Sequence, residues 1–128
     1  MNFMKRNLMY LLVAIFSFNF ISCNSKEDKR EVTVIKVDEA KTILAEDPNV
    51  IILDVRTPEE FQEGHIEGAV LINFFDDNFE QQVAMLDKDK PVVIYCRSGN
   101  RSNKAGKILT DLGFSEIYDM EDGYVGWE

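Results

Sequence analysis

Residues 91–112 read PVVIYCRSGNRSNKAGKILTDL and contain, in order, a strand pattern, a short polar loop and a helix pattern. Residues 91–95 form an apolar, β-branched run that is typical of a buried strand. In residues 102–112 apolar side chains recur at the i, i+3, i+4 and i+7 positions of an amphipathic helix, and Gly113 is suited to end it. Cys96 therefore stands where the strand ends, and a tight loop connects it to the helix.

The loop after Cys96 carries features that favour a thiolate over a thiol. The first N–H groups of a helix have no partner within it, and the helix dipole adds positive potential there. Arg97 and Arg101 add fixed positive charge, and Gly99 permits a positive φ at which several N–H groups can converge on one anion. We therefore predict a reactive Cys96 with a pKa below the ordinary value of about 8.5, rather than a small residue packed under a turn.

The loop CRSGNRS, residues 96–102, resembles the Cys-Arg-x-Gly-x-Arg active-site pattern of the single-domain rhodaneses, a family of sulfurtransferases. Two further blocks support the resemblance: LDVRTPEEFQEGHIEGAVLIN at residues 53–73 and LGFSEIYDMEDGYVGW at residues 112–127. The resemblance covers about residues 31–128 and implies an α/β fold, with a central five-stranded, mostly parallel sheet and helices on both faces.

The resemblance also implies a chemistry for Cys96. Its thiolate attacks the sulfane sulfur of a donor such as thiosulfate, becomes a persulfide, and passes the sulfur to a thiol or to cyanide. We expect Arg97 and Arg101 to bind the anionic donor, because guanidinium groups make forked contacts with oxyanions. Ser98 and Ser102 are expected to donate hydrogen bonds, with Ser102 as an alternative helix cap. The predicted substrate-binding residues are Arg97, Ser98, Gly99, Asn100, Arg101 and Ser102. No cofactor is implied.

Two other functions are compatible with a cysteine in such a loop. Phosphatases and arsenate reductases also use one, but they place five residues between cysteine and arginine, whereas four separate Cys96 from Arg101. A sulfur-carrier or binding module with little turnover would retain the same loop, and the sequence does not separate it from an enzyme.

Three residues outside the loop belong to the matched blocks. We predict that Asp54, at the end of an apolar run, pairs with an arginine of the loop and supports its shape. The alternative is a surface ion pair between Asp54 and Arg56. His65 is interpreted as a buried, hydrogen-bonded structural residue rather than a catalytic one.

Composition limits the remaining possibilities. A chain of 128 residues holds one domain, and 45% hydrophobic residues supply a core. The net charge of −9 argues against nucleic acid as a partner, because phosphate binding needs clustered positive charge. Cys23, Cys96 and the single histidine lack the spacing of a metal site. We expect a monomer that meets a small sulfur-containing anion and a thiol acceptor.

The N-terminal residues predict export from the cytoplasm. Lys5 and Arg6 precede an almost wholly apolar stretch, residues 8–21, which is typical of a signal peptide over residues 1–22. Cys23 follows directly and resembles the lipidated cysteine of bacterial lipoproteins; the alternative is an ordinary signal peptide with an incidental cysteine. Residues 23–31 are predicted to be a lipidated N-terminus and flexible tether, anchoring an extracytoplasmic domain, residues 32–128, to a membrane through acyl chains.

Strand and helix patterns alternate through residues 32–128. Strands are predicted at residues 32–37, 50–53, 69–73, 91–95 and 116–118. A short helix is expected after Asp38, and another between Thr57, with a capping box to Glu60, and Gly64. A third helix is predicted over residues 74–86, and its inward side chains are Phe75, Phe79, Val83 and Leu86.

Overall fold

The structure is a computed structural model that describes residues 30–128. Strands and helices alternate along this part of the chain. The strands are β1 Val32–Ile35, β2 Ile51–Asp54, β3 Val70–Leu71, β4 Val92–Tyr95 and β5 Ile117–Met120. The helices are α1 Val37–Glu46, α2 Pro58–Glu63, α3 Phe79–Val83, α4 Asn100–Leu112 and α5 Gly123–Trp127.

The five strands form one sheet in the order β1–β5–β4–β2–β3, and every neighbouring pair is parallel. This confirms the predicted α/β fold with a central five-stranded sheet. In parallel sheets the carboxyl ends of all strands meet at one edge, where ligands bind. Asp54 ends β2 and Cys96 follows β4, so both residues lie at that edge.

Helices cover both faces of the sheet, as predicted. On one face α3 and α4 pack against side chains that include Val92 and Ile94. On the other face α1 and α5 pack against a cluster that includes Val93 and Tyr95. All four residues of β4 are therefore buried, because alternate side chains point into two separate cores.

The helix predicted over residues 74–86 is wrong in extent. Only Phe79–Val83 is helical, and Phe75 is 65% exposed rather than inward. The side chain of Asn73 accepts a hydrogen bond from the Phe75 N–H at 3.0 Å, and the Asn73 carbonyl accepts one from the Asp76 N–H at 3.0 Å. Such local bonds compete with the helical pattern, so this segment forms turns before α3 begins.

The ends of α2 and α4 agree with the predictions except at the start of α4. The capping box between Thr57 and Glu60 is present. Gly113 ends α4 with a left-handed φ of 92°, as predicted. Helix α4 begins at Asn100, two residues earlier than expected, and Gly99 rather than Ser102 stands at its N-cap position.

The predicted signal peptide, Cys23 and nearly all of the predicted tether lie outside the described residues, so lipidation and export stay predictions. Within residues 30–128, no helix combines the length and apolar character that crossing a membrane requires.

Candidate active site

The loop from Cys96 to Gly99 connects the central strand to α4 and wraps around the Cys96 sulfur. Gly99 adopts a φ of 99°, which other residues rarely tolerate. A Cβ atom at Gly99 would lie 2.4 Å from the Glu121 carbonyl oxygen. Glycine is therefore needed here both for its conformation and for the close approach of the loop to the end of β5.

Hydrogen bonds from the loop and from α4 surround the thiol. The Gly99 N–H donates to the Cys96 sulfur at 3.1 Å. The Cys96 S–H lies 3.6 Å from the Ser102 hydroxyl oxygen, and that hydroxyl donates to the Gly99 carbonyl at 3.1 Å. Ser102 is completely buried, so its side chain ties the thiol to the loop instead of capping the helix.

These hydrogen bonds determine the ionisation of Cys96. Burial by itself raises the pKa of the thiol, because it disfavours the charged form. Four hydrogen-bonding groups lower the pKa and together outweigh the effect of burial: the N–H and hydroxyl of Ser102 and the N–H groups of Ser98 and Gly99. The pKa of Cys96 therefore lies below its ordinary value, which agrees with the direction predicted from the sequence.

The thiol should consequently react with iodoacetamide at a lower pH than free cysteine does. When Cys96 ionises, the Ser102 hydroxyl can turn from the Gly99 carbonyl and donate to the sulfur. Ser102→Ala removes this donor, so it should shift the pH profile of alkylation upward. The alkylation rate at neutral pH should then fall by up to about tenfold, the equivalent of one charge-assisted hydrogen bond. Stopped-time alkylation followed by intact-mass analysis measures both effects.

Ser98→Ala is the matched control for this prediction, because Ser98 lowers the pKa of Cys96 through its backbone N–H and not through its hydroxyl. The control should leave the pH midpoint unchanged. A wild-type profile that matches free cysteine, or equal shifts in the two variants, would show that the Ser102 hydroxyl does not stabilise the thiolate.

Access to the thiol is restricted. Cys96 is only 1% exposed and contributes to the core beneath the loop, whereas Arg97 and Ser98 are exposed. The thiol therefore presents little surface to a donor. The same burial keeps water away from the thiolate and strengthens the hydrogen bonds around it.

Helix α5 supports the loop from behind, a role that the sequence patterns did not identify. The Tyr124 N–H donates to the Cys96 carbonyl at 2.8 Å, and the Val125 N–H donates to the Arg97 carbonyl at 3.2 Å. Gly123 makes this approach possible with a φ of 62° and no side chain. All of α5 falls within the matched block at residues 112–127, but the pattern there gave no role for it.

Arg101 is engaged by an ion pair with Glu60. Its two terminal nitrogens donate to the two carboxylate oxygens of Glu60 at 2.7 and 2.9 Å. The ring of Phe75 lies 5.6 Å from the same guanidinium group. Glu60 was interpreted from the sequence only as part of a capping box, because its partner is 41 residues further along the chain.

The predicted pairing of Asp54 with a loop arginine is wrong. Asp54 accepts hydrogen bonds from the Nε and Nη2 atoms of Arg56 and from its backbone N–H, at 2.8 to 3.1 Å. The alternative named the right partner, Arg56, but the pair is buried rather than at the surface, since Asp54 is 0% and Arg56 3% exposed. The Arg56 guanidinium also donates to the Gly64 carbonyl and lies 4.4 Å from the Tyr124 ring. The pair thus joins β2 to α2 and α5 rather than to the loop.

His65 is hydrogen-bonded, as predicted, but it is exposed rather than buried. Its Nδ1 atom lies 2.8 Å from the Phe61 carbonyl, and its ring stacks on the Phe61 ring at 3.6 Å. Stacking on a neighbouring aromatic side chain holds this imidazole without enclosing it in the core.

The structure therefore separates the predicted site residues into groups. Gly99 and Ser102 surround the sulfur of Cys96. Three side chains of the loop region are exposed: Arg97, Ser98 and Asn100. Arg101 is paired with Glu60. Within residues 30–128, no three histidine, cysteine or acidic side chains come together as metal ligands. One cysteine in an amide-lined loop at the end of a central parallel strand defines an α/β protein suited to nucleophilic thiolate chemistry.

Comparisons with known proteins identify the family. The rhodanese-like domain model matches residues 36–128. The thiosulfate sulfurtransferase GlpE of Tolumonas auensis is 30% identical over 97 residues, covering 76% of this chain and 89% of that protein. The tRNA uridine(34) hydroxylase of Sodalis glossinidius is 34% identical over 97 residues, but the match covers 71% of this chain and only 27% of that protein. A crystal structure of a rhodanese-like domain protein from Staphylococcus aureus aligns with a TM-score of 0.68 and 33% identity, covering 76% of this chain and 92% of that one.

The chain belongs to the rhodanese-like domain family. Sulfur transfer is the general kind of chemistry that this membership supports. The match to the hydroxylase is confined to about a quarter of that protein, so it indicates a shared domain only.

Proposed function

We propose that the protein is a sulfurtransferase that carries sulfur as a persulfide on Cys96. It takes a sulfane sulfur from thiosulfate or a similar small donor and passes it to a thiol or to cyanide. The observation that carries the proposal is the set of N–H and hydroxyl groups of Ser98, Gly99 and Ser102 around a single thiol of lowered pKa. Such a loop stabilises negative charge on whichever sulfur it surrounds.

The reaction proceeds in two balanced steps. In the first, the Cys96 thiolate attacks the sulfane sulfur of thiosulfate; a new S–S bond forms, the donor S–S bond breaks, and sulfite leaves with the electron pair. In the second, cyanide attacks the outer persulfide sulfur, thiocyanate leaves, and the thiolate is restored. No general base is invoked, because the lowered pKa of Cys96 favours the thiolate, which is itself the nucleophile. No external oxidant or reductant enters the cycle.

Intact-mass analysis of the purified domain, residues 30–128, tests the proposal. After exposure to thiosulfate the domain should gain the mass of one sulfur atom, and peptide mapping should locate the addition on Cys96. A cyanide chase should remove it. The matched control is the same domain with Cys96 blocked by iodoacetamide, which should gain nothing.

Three outcomes would contradict the proposal. Failure to gain sulfur from any sulfane donor would remove persulfide chemistry altogether. Persulfide formation without discharge to cyanide or thiols would favour the sulfur-carrier alternative. Hydrolysis of phosphate esters that is lost on blocking Cys96 would favour a phosphatase, although the spacing of four residues between Cys96 and Arg101 argues against one.

A further inference from the structure

The charge of Arg101, on the first turn of α4 beside the loop, is balanced by a glutamate outside the loop. Glu60 binds Arg101 through both carboxylate oxygens, and the two side chains are only 25% and 18% exposed. Bidentate pairs of this kind are the stronger class of charge-assisted hydrogen bond. Glu60 is also held from its own side, since the Thr57 N–H and hydroxyl lie 3.4 and 3.2 Å from the same carboxylate. The Glu60 carboxylate is therefore held in place by contacts with Thr57 as well as with Arg101.

The pair stays charged throughout the range of ordinary assays. Hydrogen bonding to Arg101 lowers the pKa of Glu60 to about 2. The Glu60 carboxylate is thus ionised at any pH well above that value, and acidification to pH 5 does not release Arg101. The Phe75 ring, 5.6 Å from the guanidinium group, is a further neighbour of Arg101 in this position.

The remaining charges beside the loop are mostly negative. A cavity of about 140 Å³ lies between α2 and α5, and its charged lining residues are Arg56, Arg97, Glu60, Glu63 and Glu128. The charge of Arg56 is neutralised by Asp54, 2.8 Å away. Glu60 is likewise neutralised by Arg101, so among residues 30–128 the charged lining residues that make no ion pair are one arginine, Arg97, and two glutamates, Glu63 and Glu128.

A doubly charged donor meets an unfavourable potential in this arrangement. Attraction and repulsion both scale with the charge of the ligand, so a dianion is affected about twice as strongly as a monoanion of similar size. Thiosulfate is a dianion and its leaving group, sulfite, carries the same charge. A monoanionic donor retains a contact to Arg97 with less repulsion from the glutamates.

We infer that Glu60 sets the donor preference of the site: by engaging Arg101 it makes the protein favour monoanionic sulfane donors over thiosulfate. This inference rests on the proposed persulfide chemistry. Glu60 is a specificity-determining residue that acts through Arg101, without touching the donor. The reaction with an organic thiosulfonate is balanced in the same way, since its S–S bond breaks and a sulfinate leaves with the electron pair.

The test compares thiosulfate with benzenethiosulfonate, a monoanion that also presents a terminal sulfane sulfur. The rate of persulfide formation on Cys96 is measured for each donor in wild type and in Glu60→Gln. Glutamine preserves the capping box, because it offers the same side-chain oxygen to Thr57. Releasing Arg101 should raise the ratio of the thiosulfate rate to the thiosulfonate rate about tenfold, and high salt should reduce this gain.

Two further variants show whether the effect passes through Arg101. Glu59→Gln removes the same charge from an exposed position on α2 and should leave the ratio within about twofold of wild type. Adding Arg101→Gln to Glu60→Gln should cancel the gain. Thermal unfolding of each variant confirms that it is folded.

An unchanged ratio in folded Glu60→Gln, or equal changes in Glu59→Gln and Glu60→Gln, would overturn the inference while leaving the proposed function standing. A wild-type protein that forms no persulfide with either donor would overturn both.

Discussion

Replacement of Cys96 by serine should abolish sulfur transfer while leaving the fold intact. Serine has nearly the same shape, and at this position its hydroxyl meets the Gly99 N–H and the Ser102 hydroxyl that now surround the sulfur. A hydroxyl is not ionised at neutral pH and cannot hold a sulfane sulfur as a persulfide. We expect kcat/KM to fall by about 10³-fold or more, as removal of a nucleophile does in other enzymes.

Steady-state formation of thiocyanate from a sulfane donor and cyanide measures the loss, and urea unfolding measures stability. The free energy of unfolding of Cys96→Ser should stay within about 1 kcal/mol of wild type, because one buried polar group with partners replaces another. Activity that survives in the folded variant would show that a different residue carries the sulfur.

Replacement of Gly123 by alanine should destabilise the domain and disable the loop together. The positive φ of 62° is unfavourable for alanine by about 1–2 kcal/mol. The new Cβ would also lie 2.3 Å from the Arg97 carbonyl oxygen and 2.7 Å from that of Cys96, so the backbone must move. We expect a total loss of about 3 kcal/mol or more. Because displaced reacting groups transfer poorly, we also expect a fall in kcat/KM on the order of 10²-fold.

Gly113→Ala provides the matched control, since Gly113 also has a positive φ, 92°, but the closest atom to its Cβ would be an Arg30 side-chain nitrogen at 3.5 Å. That variant should lose only the conformational part, about 1–2 kcal/mol, and should retain activity. Urea unfolding and thiocyanate formation compare the two proteins. Equal losses of stability in the two variants would show that the close approach of α5 to the loop is unimportant.

The combination of a low-pKa thiol with a restricted opening suits a protein that stores sulfur between two small reactants. The N–H groups of the loop stabilise the thiolate before the donor arrives and the persulfide after it leaves. Burial of Cys96 limits the surface that a reactant can contact, and the Glu60–Arg101 pair adjusts the charge that a donor meets. Different residues thus control access to the thiol, the reactivity of the thiol and the preference for a donor.

Much of the structure around Cys96 can be predicted from local sequence patterns. The apolar run before Cys96, the helix after it and the glycine that ends that helix are each specified within a few residues. The five-stranded sheet and its parallel pairing were expected from the family resemblance and the strand–helix alternation, whereas the strand order β1–β5–β4–β2–β3 was not predicted. The lowered pKa of Cys96 also follows from nearby features, since its N–H donors lie within six residues of it.

Three predictions were wrong, for α3, His65 and Asp54, and each error has its own physical cause. The extent of α3 was overestimated, because Asn73 and Asp76 offer the backbone local bonds that compete with a helix. His65 was expected in the core, but stacking on Phe61 holds it at the surface. Asp54 was assigned to a loop arginine, whereas Arg56, two residues away, donates four hydrogen bonds to its carboxylate.

The amino-acid pattern alone was sufficient for the α/β architecture, the position of the reactive cysteine and the direction of its ionisation, because hydrophobic periodicity and local hydrogen bonding act over short distances along the chain. Tertiary structure alone brought Glu60 onto Arg101, placed Gly123 against the loop carbonyls and buried the Asp54–Arg56 pair. These contacts join segments that are distant in sequence or depend on enclosure from several sides, and no spacing of residues encodes them.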